Sequence, residues 1–131
     1  MNMFDKIIVQ KALKSSWISE NNPGSIPVNS ADDKSSEISQ LIYDLFGGEI
    51  LKTHKQKGWH FYNRINGERI DFTRSKIKKI AGNNHFEDIP STSEETHNYF
   101  EQEEYTTFLM RFIWAFEEAV GLKKYRPDYA A

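Results

Sequence analysis

The sequence predicts an α+β domain in which a small antiparallel sheet packs with N-terminal, central and C-terminal helices. Residues 38–46 and 105–120 repeat apolar side chains every three or four positions, the period of a helix with one buried face. Between them, residues 59–72 flank an Asn66-Gly67 pair, a dipeptide that accepts positive φ at both centres of a two-residue hairpin turn. At 131 residues the chain fits one domain, 1–131, long enough to bury a core without metal or disulfide support.

Phe4, Ile7, Ile8, Ala12 and Leu13 recur at helical spacing and predict an amphipathic packing helix ending near Ser15 or Trp17. Residues 19–33 are rich in Asn, Pro, Gly and Ser, with Pro23-Gly24 and Pro27 as breakers, and predict a long functional or mobile loop. Asp32 and Asp33 are N-cap candidates for the next helix, whose apolar face is Ile38, Leu41, Ile42, Leu45 and Phe46. Gly47-Gly48 ends it, because glycine takes a left-handed conformation without a Cβ clash. Ser35 and Ser36 therefore fall in its first turn.

Residues 49–53 read as a strand and 54–58 as a basic, mobile connection. Counting outward from Asn66-Gly67 pairs Ile65 with Glu68, Arg64 with Arg69, Tyr62 with Asp71 and His60 with Thr73. Alternation then divides the hairpin into two faces. Trp59, Phe61, Asn63, Ile65, Glu68, Ile70, Phe72 and Arg74 form a mostly apolar, core-facing set. His60, Tyr62, Arg64, Arg69, Asp71 and Thr73 form the opposite set, expected on the solvent side.

Residues 74–80 are basic, and Lys76, Lys78 and Lys79 read as a solvated face because no aromatic platform interleaves them. Residues 81–92 carry few structural signals. Ser91, Thr92 or Ser93 caps a short acidic helix with Glu94 and Glu95 in its first turn. The last helix has an apolar stripe of Tyr105, Phe108, Leu109, Phe112, Ile113, Phe116, Ala119 and Val120, stopped by Gly121, Lys123 and Lys124. Met110 and Trp114 lie off that stripe. A second buried surface, against the N-terminal helix or another subunit, accounts for them, and packing within the monomer is expected.

Composition narrows the chemistry. The absence of cysteine excludes disulfides, zinc-thiolate sites and thiol catalysis. A net charge of −2 offers no general attraction for nucleic acid or anionic membrane. No apolar run reaches the ~20 residues of a membrane span, so a soluble, cytoplasmic protein is expected. His54, His85 and His97 lack partners at metal-ligand spacing, and neither a metal nor another cofactor is expected. Diagonal placement leaves His60 and Asp71 with Cα atoms roughly 7–8 Å apart, within reach of an imidazole–carboxylate bond. Such a bond fixes the tautomer and leaves the second ring nitrogen to act as a base. The bland alternative is a solvated polar pair.

Trp17, the run Asp44-Leu-Phe-Gly-Gly-Glu-Ile-Leu51, His60-Phe-Tyr-Asn63 and Gly67 through Ile70-Asp71-Phe-Thr-Arg-Ser75 together resemble the small bacterial YunG-like family. Asn98-Tyr-Phe and Tyr105 with its helix resemble it more weakly. The resemblance implies a cysteine at the start of the helix before Gly47-Gly48, followed by His and Asp on successive strands, an order similar to papain-like and transglutaminase-like folds. Counting back from Asp44 puts the nucleophile position on Ser35, with Ser36 as the one-residue alternative.

The resemblance thus implies a papain/transglutaminase-like core with Ser35 in the nucleophile position, His60 as general base and acid, and Asp71 orienting the imidazole. Trp59, Tyr62 and Asn63 are candidates for lining a substrate groove. The expected substrates are amide or thioester carbonyls on a peptide or protein. Three origins of the serine stay open: a replaced cysteine, a natural serine variant, and a member that has lost catalysis. The alternative function is a non-catalytic module that binds a protein partner through the hairpin and the Asn/Pro/Gly-rich loop.

Overall fold

A computed structural model describes residues 4–20, 34–55, 58–72 and 86–121. They form α1 (Lys6–Glu20), α2 (Ser35–Phe46), β1 (Glu49–Lys55), β2 (Gly58–Ile65), β3 (Glu68–Ile70), β4 (Ile89–Ser91), α3 (Ser93–Thr96), a 3-10 turn (His97–Tyr99) and α4 (Gln102–Val120). The architecture is α+β, with one antiparallel sheet ordered β3-β2-β1-β4. The chain divides into two compact units, one from Met1–Ile26 with Thr106–Ala131 and one from Pro27–Tyr105.

In the central unit the hairpin follows the expected register: Ile65 pairs with Glu68, Arg64 with Arg69 and Asn63 with Ile70. Asn66 and Gly67 have φ of 52° and 82°, the paired positive values that this tight turn requires. β3 ends at Ile70, so Asp71 lies just past the ladder. Thr73 and Arg74 lie outside the described residues, as do the N-cap candidates Asp32 and Asp33. Residues expected in a connection, His54 and Lys55, extend β1, and Gly58 opens β2.

α2 lies on the Phe61/Asn63 face of the sheet, where Asn63 Nδ2 donates to the Ser39 carbonyl at 3.1 Å. Its first two turns, Ser35 to Ile42, are wholly buried. Gly47, at φ 81°, ends the helix and donates its N–H to the Tyr43 carbonyl. Gly48 has a stricter role: at φ 86°, a Cβ there would sit 2.5 Å from the Arg64 carbonyl oxygen.

The opposite face differs from the expectation. Arg64 and Arg69 keep solvent exposure as expected, but His60 and Tyr62 are buried and the Asp71 side chain is only 2% exposed, so the His60 end of this face is covered. The segment Phe86–Asp88, leading into β4, supplies cover that local alternation does not reveal. Phe86 meets the Tyr62 ring edge-on at 4.9 Å between centroids, and Arg69 lies over Phe86. Asp88, at φ 57°, receives the Tyr62 hydroxyl at 2.8 Å and returns its own N–H to that oxygen at 2.7 Å. Trp59, expected in the core, is half-buried beside the His54 ring and beneath the Lys52 ammonium.

β4 arises from the signal-poor stretch and pairs Ile89, Pro90 and Ser91 with Lys52, Leu51 and Ile50. It is an edge strand, the sheet position that tolerates proline. Thr92 is the N-cap of α3, accepting the Glu95 N–H at 3.1 Å. Behind α2, Gln40 donates to Asp44 at 2.9 Å and Ser93 at 3.0 Å and accepts from Thr96, while the Tyr105 hydroxyl donates to Asp44. Burial, with the Asp44 carboxylate beside it, holds the Tyr105 phenol above its ordinary pKa.

In the unit built from the chain ends, Asp5 caps α1 by accepting the N–H groups of Ile7 and Ile8. α1 extends beyond the expected end to Glu20. Among the described side chains of α1, Val9, Ala12, Leu13 and Ser16 are buried, whereas Ile7, assigned to the apolar stripe by spacing, is exposed. α4 buries Phe108 and Phe112 and stops at Gly121, where φ is 80°. Met110 and Trp114 are 63% and 57% exposed, so they do not form the second buried surface expected for them.

Candidate functional site

The site begins where β3 ends. Around this hairpin, Ile65 and Asn63 exchange main-chain hydrogen bonds with β3 at alternate positions, so the Phe61 N–H points toward the same side. No strand residue of β3 lies opposite Phe61. Instead α2 brings its first residue there, and Ser35 Oγ accepts the Phe61 N–H at 3.1 Å. A side-chain oxygen thus takes the place of a strand carbonyl and fastens the helix N-terminus to the open edge of β2.

One residue before Phe61, His60 projects to the face shared with Tyr62. Its Nε2 lies 2.7 Å from Asp71 Oδ2, and the two side chains are 0% and 2% exposed. A carboxylate only accepts, so Nε2 carries the hydrogen in this pair and Nδ1 is the basic nitrogen of a neutral ring.

Ser35 and Asp71 also line one crevice, together with Ile38, Phe61, Ile70 and Phe72, too narrow for a water-sized sphere. The fold therefore brings His60 and Asp71 into direct contact and places Ser35 on a crevice shared with Asp71, but the Ser35 hydroxyl is bonded to the Phe61 main chain and not to the His60 ring, which projects with Tyr62 from the face opposite α2. Ser36 is buried in the same first turn. Tyr62 and Asn63 are committed to internal bonds, to Asp88 and to Ser39 and Glu49 respectively, and Trp59 keeps partial exposure.

Sequence reasoning missed Asp88. Its carboxylate accepts from Arg69 Nε at 3.2 Å and Nη2 at 2.8 Å as well as from Tyr62, tying the covering segment to both strands of the hairpin. The Arg69 hydrogen bonds hold its pKa below the usual carboxylate value. Burial, reinforced by the Asp88 carboxylate, pushes the Tyr62 phenol upward. The only local clue was an aspartate, a residue that tolerates positive φ, just before a short Ile-Pro run.

Further along, Glu87 accepts from the His54 N–H at 2.7 Å and the Thr53 hydroxyl at 2.9 Å, bonds that lower its pKa. Among the described residues, no three His, Cys, Asp or Glu side chains gather as a metal site, and no helix is long and apolar enough to cross a membrane.

No solved structure matches the chain. A Bacillus subtilis (strain 168) protein, described as "Uncharacterized protein YunG", is 42% identical over 65 residues, covering 50% of this chain and 54% of that protein. The chain thus spans about half the length of that relative. The family described as YunG protein matches residues 6–116. Because that match runs from the first turn of α1, through the Ser35 edge and the His60–Asp71 pair, to Phe116 in α4, the chain belongs to the YunG family.

Proposed function

We propose that this chain is an acyl-transfer scaffold of the papain-like and transglutaminase-like kind, with Ser35 in the nucleophile position and amide or thioester carbonyls of a peptide or protein as substrates. The observation that carries the reading is the buried 2.7 Å bond between His60 Nε2 and Asp71. In this reading the second ring nitrogen takes the Ser35 proton as Oγ attacks the carbonyl carbon and then delivers it to the departing amine or thiol, which requires the Ser35 hydroxyl to leave the Phe61 N–H and swing toward the imidazole. The resulting acyl-serine passes its acyl group to water or an amine acceptor. N–H groups in the first turn of α2 suit an oxyanion forming beside Ser35.

Opening of the Ser35–Asp71 crevice must precede substrate entry. The test replaces the weak nucleophile with one that can be counted. Ser35→Cys should be alkylated by iodoacetamide at neutral pH, and adding His60→Ala should slow labelling by at least about tenfold, since the imidazole sustains the reactive thiolate. Equal, slow labelling of both variants would overturn the catalytic reading. That result would favour a non-catalytic protein-interaction module, a reading supported by the closed crevice and by the Ser35 oxygen's bond to main chain.

A further inference from the structure

The Asn66-Gly67 turn carries a chemistry of its own, separate from acyl transfer at Ser35. Both residues are exposed, at φ of 52° and 82°, and they close the hairpin beyond the Ile65–Glu68 pair. Among the described residues, neither the Asn66 amide nor the Gly67 N–H takes part in a hydrogen bond. Gly67 has no side chain, and the position its Cβ would fill is open, with nothing within 4 Å. An asparagine followed by glycine is the pair in which the next main-chain nitrogen most easily attacks the side-chain carbonyl carbon, because nothing on the second residue crowds that nitrogen.

Asn63 and Asn98, the other asparagines among the described residues, lack this combination. Asn63 is buried, its Nδ2 donates to the Ser39 and Glu49 carbonyls, and Arg64 follows it. Asn98 is exposed, but Tyr99 follows it and its side chain crowds the attacking nitrogen. At Asn66 the restraint comes from the turn itself. A left-handed residue points the next nitrogen away from its own Cβ, so Asn66 must leave that conformation before a ring can close. One side of the hairpin is a three-residue edge strand, and such elements open locally at lower cost than the core.

We infer that Asn66 is a site of spontaneous main-chain rearrangement, with water as co-reactant, whose product dismantles the hairpin end that places Asp71 beside His60. When the turn opens, the Gly67 nitrogen gives up its proton to solvent and bonds to Asn66 Cγ. The Cγ–Nδ2 bond breaks and ammonia leaves, taking up a proton from solvent. Water then opens the succinimide ring. Addition at Cγ gives aspartate on an unaltered main chain. Addition at the main-chain carbonyl carbon of residue 66 breaks its bond to the Gly67 nitrogen and gives isoaspartate, in which the chain runs through Cβ and Cγ and the former main-chain carbonyl becomes a free carboxylate. Asp-Gly accepts the same turn. Isoaspartate lengthens the loop backbone by one carbon, and register depends on loop length and turn type. The pairs joining β2 to β3 then lose their common turn. Asp71, one residue past β3, loses the position from which Oδ2 meets His60 Nε2 at 2.7 Å.

The full chain is aged at mildly alkaline pH and physiological temperature beside a peptide of residues 63–70, until the peptide is fully converted. Trypsin cuts after Arg64 and Arg69 and isolates residues 65–69, in which mass spectrometry reads the exchange of amide for acid. An endoprotease specific for aspartate separates the two products, since it does not cut at isoaspartate. The full chain should accumulate both products at Asn66, severalfold more slowly than the peptide, with Asn63 and Asn98 intact. Asn66→Asp, prepared directly, supplies the aspartate form. It should keep the wild-type urea midpoint and the downfield imidazole N–H proton resonance that the His60–Asp71 bond produces. The isoaspartate fraction should lose that resonance and unfold at lower urea. Neither outcome depends on acyl transfer at Ser35. A full chain whose Asn66 stays intact after the peptide has converted, or an isoaspartate fraction with the midpoint and resonance of Asn66→Asp, would overturn the proposal.

Discussion

Replacing Asp88 tests whether the Phe86–Asp88 segment holds the hairpin together. Asp88→Ala removes the acceptor of a buried Tyr62 hydroxyl, at about 1–3 kcal/mol for the stranded donor. It also places a Cβ-bearing residue without a polar side chain at φ 57°, adding about 1 kcal/mol. The lost Arg69 pair adds little, because that guanidinium is substantially exposed. The sum is roughly 2–4 kcal/mol, and for a domain of this size it moves a urea midpoint by roughly 1–3 M. Asp88→Asn retains an oxygen for Tyr62 and tolerates the backbone, so it should stay within about 1 kcal/mol of wild type. Urea unfolding followed by far-ultraviolet circular dichroism measures both. An Asp88→Ala midpoint equal to wild type, or equal losses in the two variants, would refute the assignment of Asp88 as the clamp on Tyr62.

Gly48→Ala should cost at least about 2–3 kcal/mol, combining left-handed backbone strain with displacement of the Arg64 carbonyl, whereas Gly67→Ala, with open space at its Cβ, should cost only about 1 kcal/mol; thermal unfolding ranks them. A double-mutant cycle with His60→Leu and Asp71→Leu should give about 1–3 kcal/mol of coupling by urea unfolding, with the double variant more stable than the sum of the single losses implies. Asp88, Glu87, Glu95 and Glu49 all have folded pKa values below their ordinary values. Their contribution is therefore present above the ordinary carboxylate range and is lost as pH falls through the depressed values. Stability should decline as pH falls below the ordinary carboxylate range of about 4, and Asp88→Asn should flatten that decline in a pH series of urea midpoints. Thr92→Ala should cost about 1 kcal/mol in the same assay, through loss of the α3 cap.

Local chemistry made much of this fold legible. Asn66-Gly67 sets the hairpin register through its backbone preference, and Gly47-Gly48 ends α2, which in turn places Ser35 at a helix start. The diagonal relation of His60 and Asp71 follows from that register, and the structure closes it into a hydrogen bond. Burial was less legible because it depends on segments distant in sequence. Alternation alone makes His60 and Tyr62 look solvent-facing, but Phe86 and Asp88 arrive from the far side of β4 to cover Tyr62. Helical spacing likewise put Ile7 in the stripe of α1 and left Val9 out, and tertiary packing reverses the two: Val9 is buried and Ile7 exposed. β4 was missed because three residues containing a proline have little strand signal until β1 offers them a partner.

Ser35 also places reactivity and architecture in competition. Sulfur is a poorer hydrogen-bond acceptor than a hydroxyl oxygen. Exchanging that oxygen for a thiol would give the proposed reaction a stronger nucleophile while loosening the tether between α2 and the Phe61 main chain. A mechanically firm edge and a chemically aggressive one therefore require different atoms at the same point in the chain.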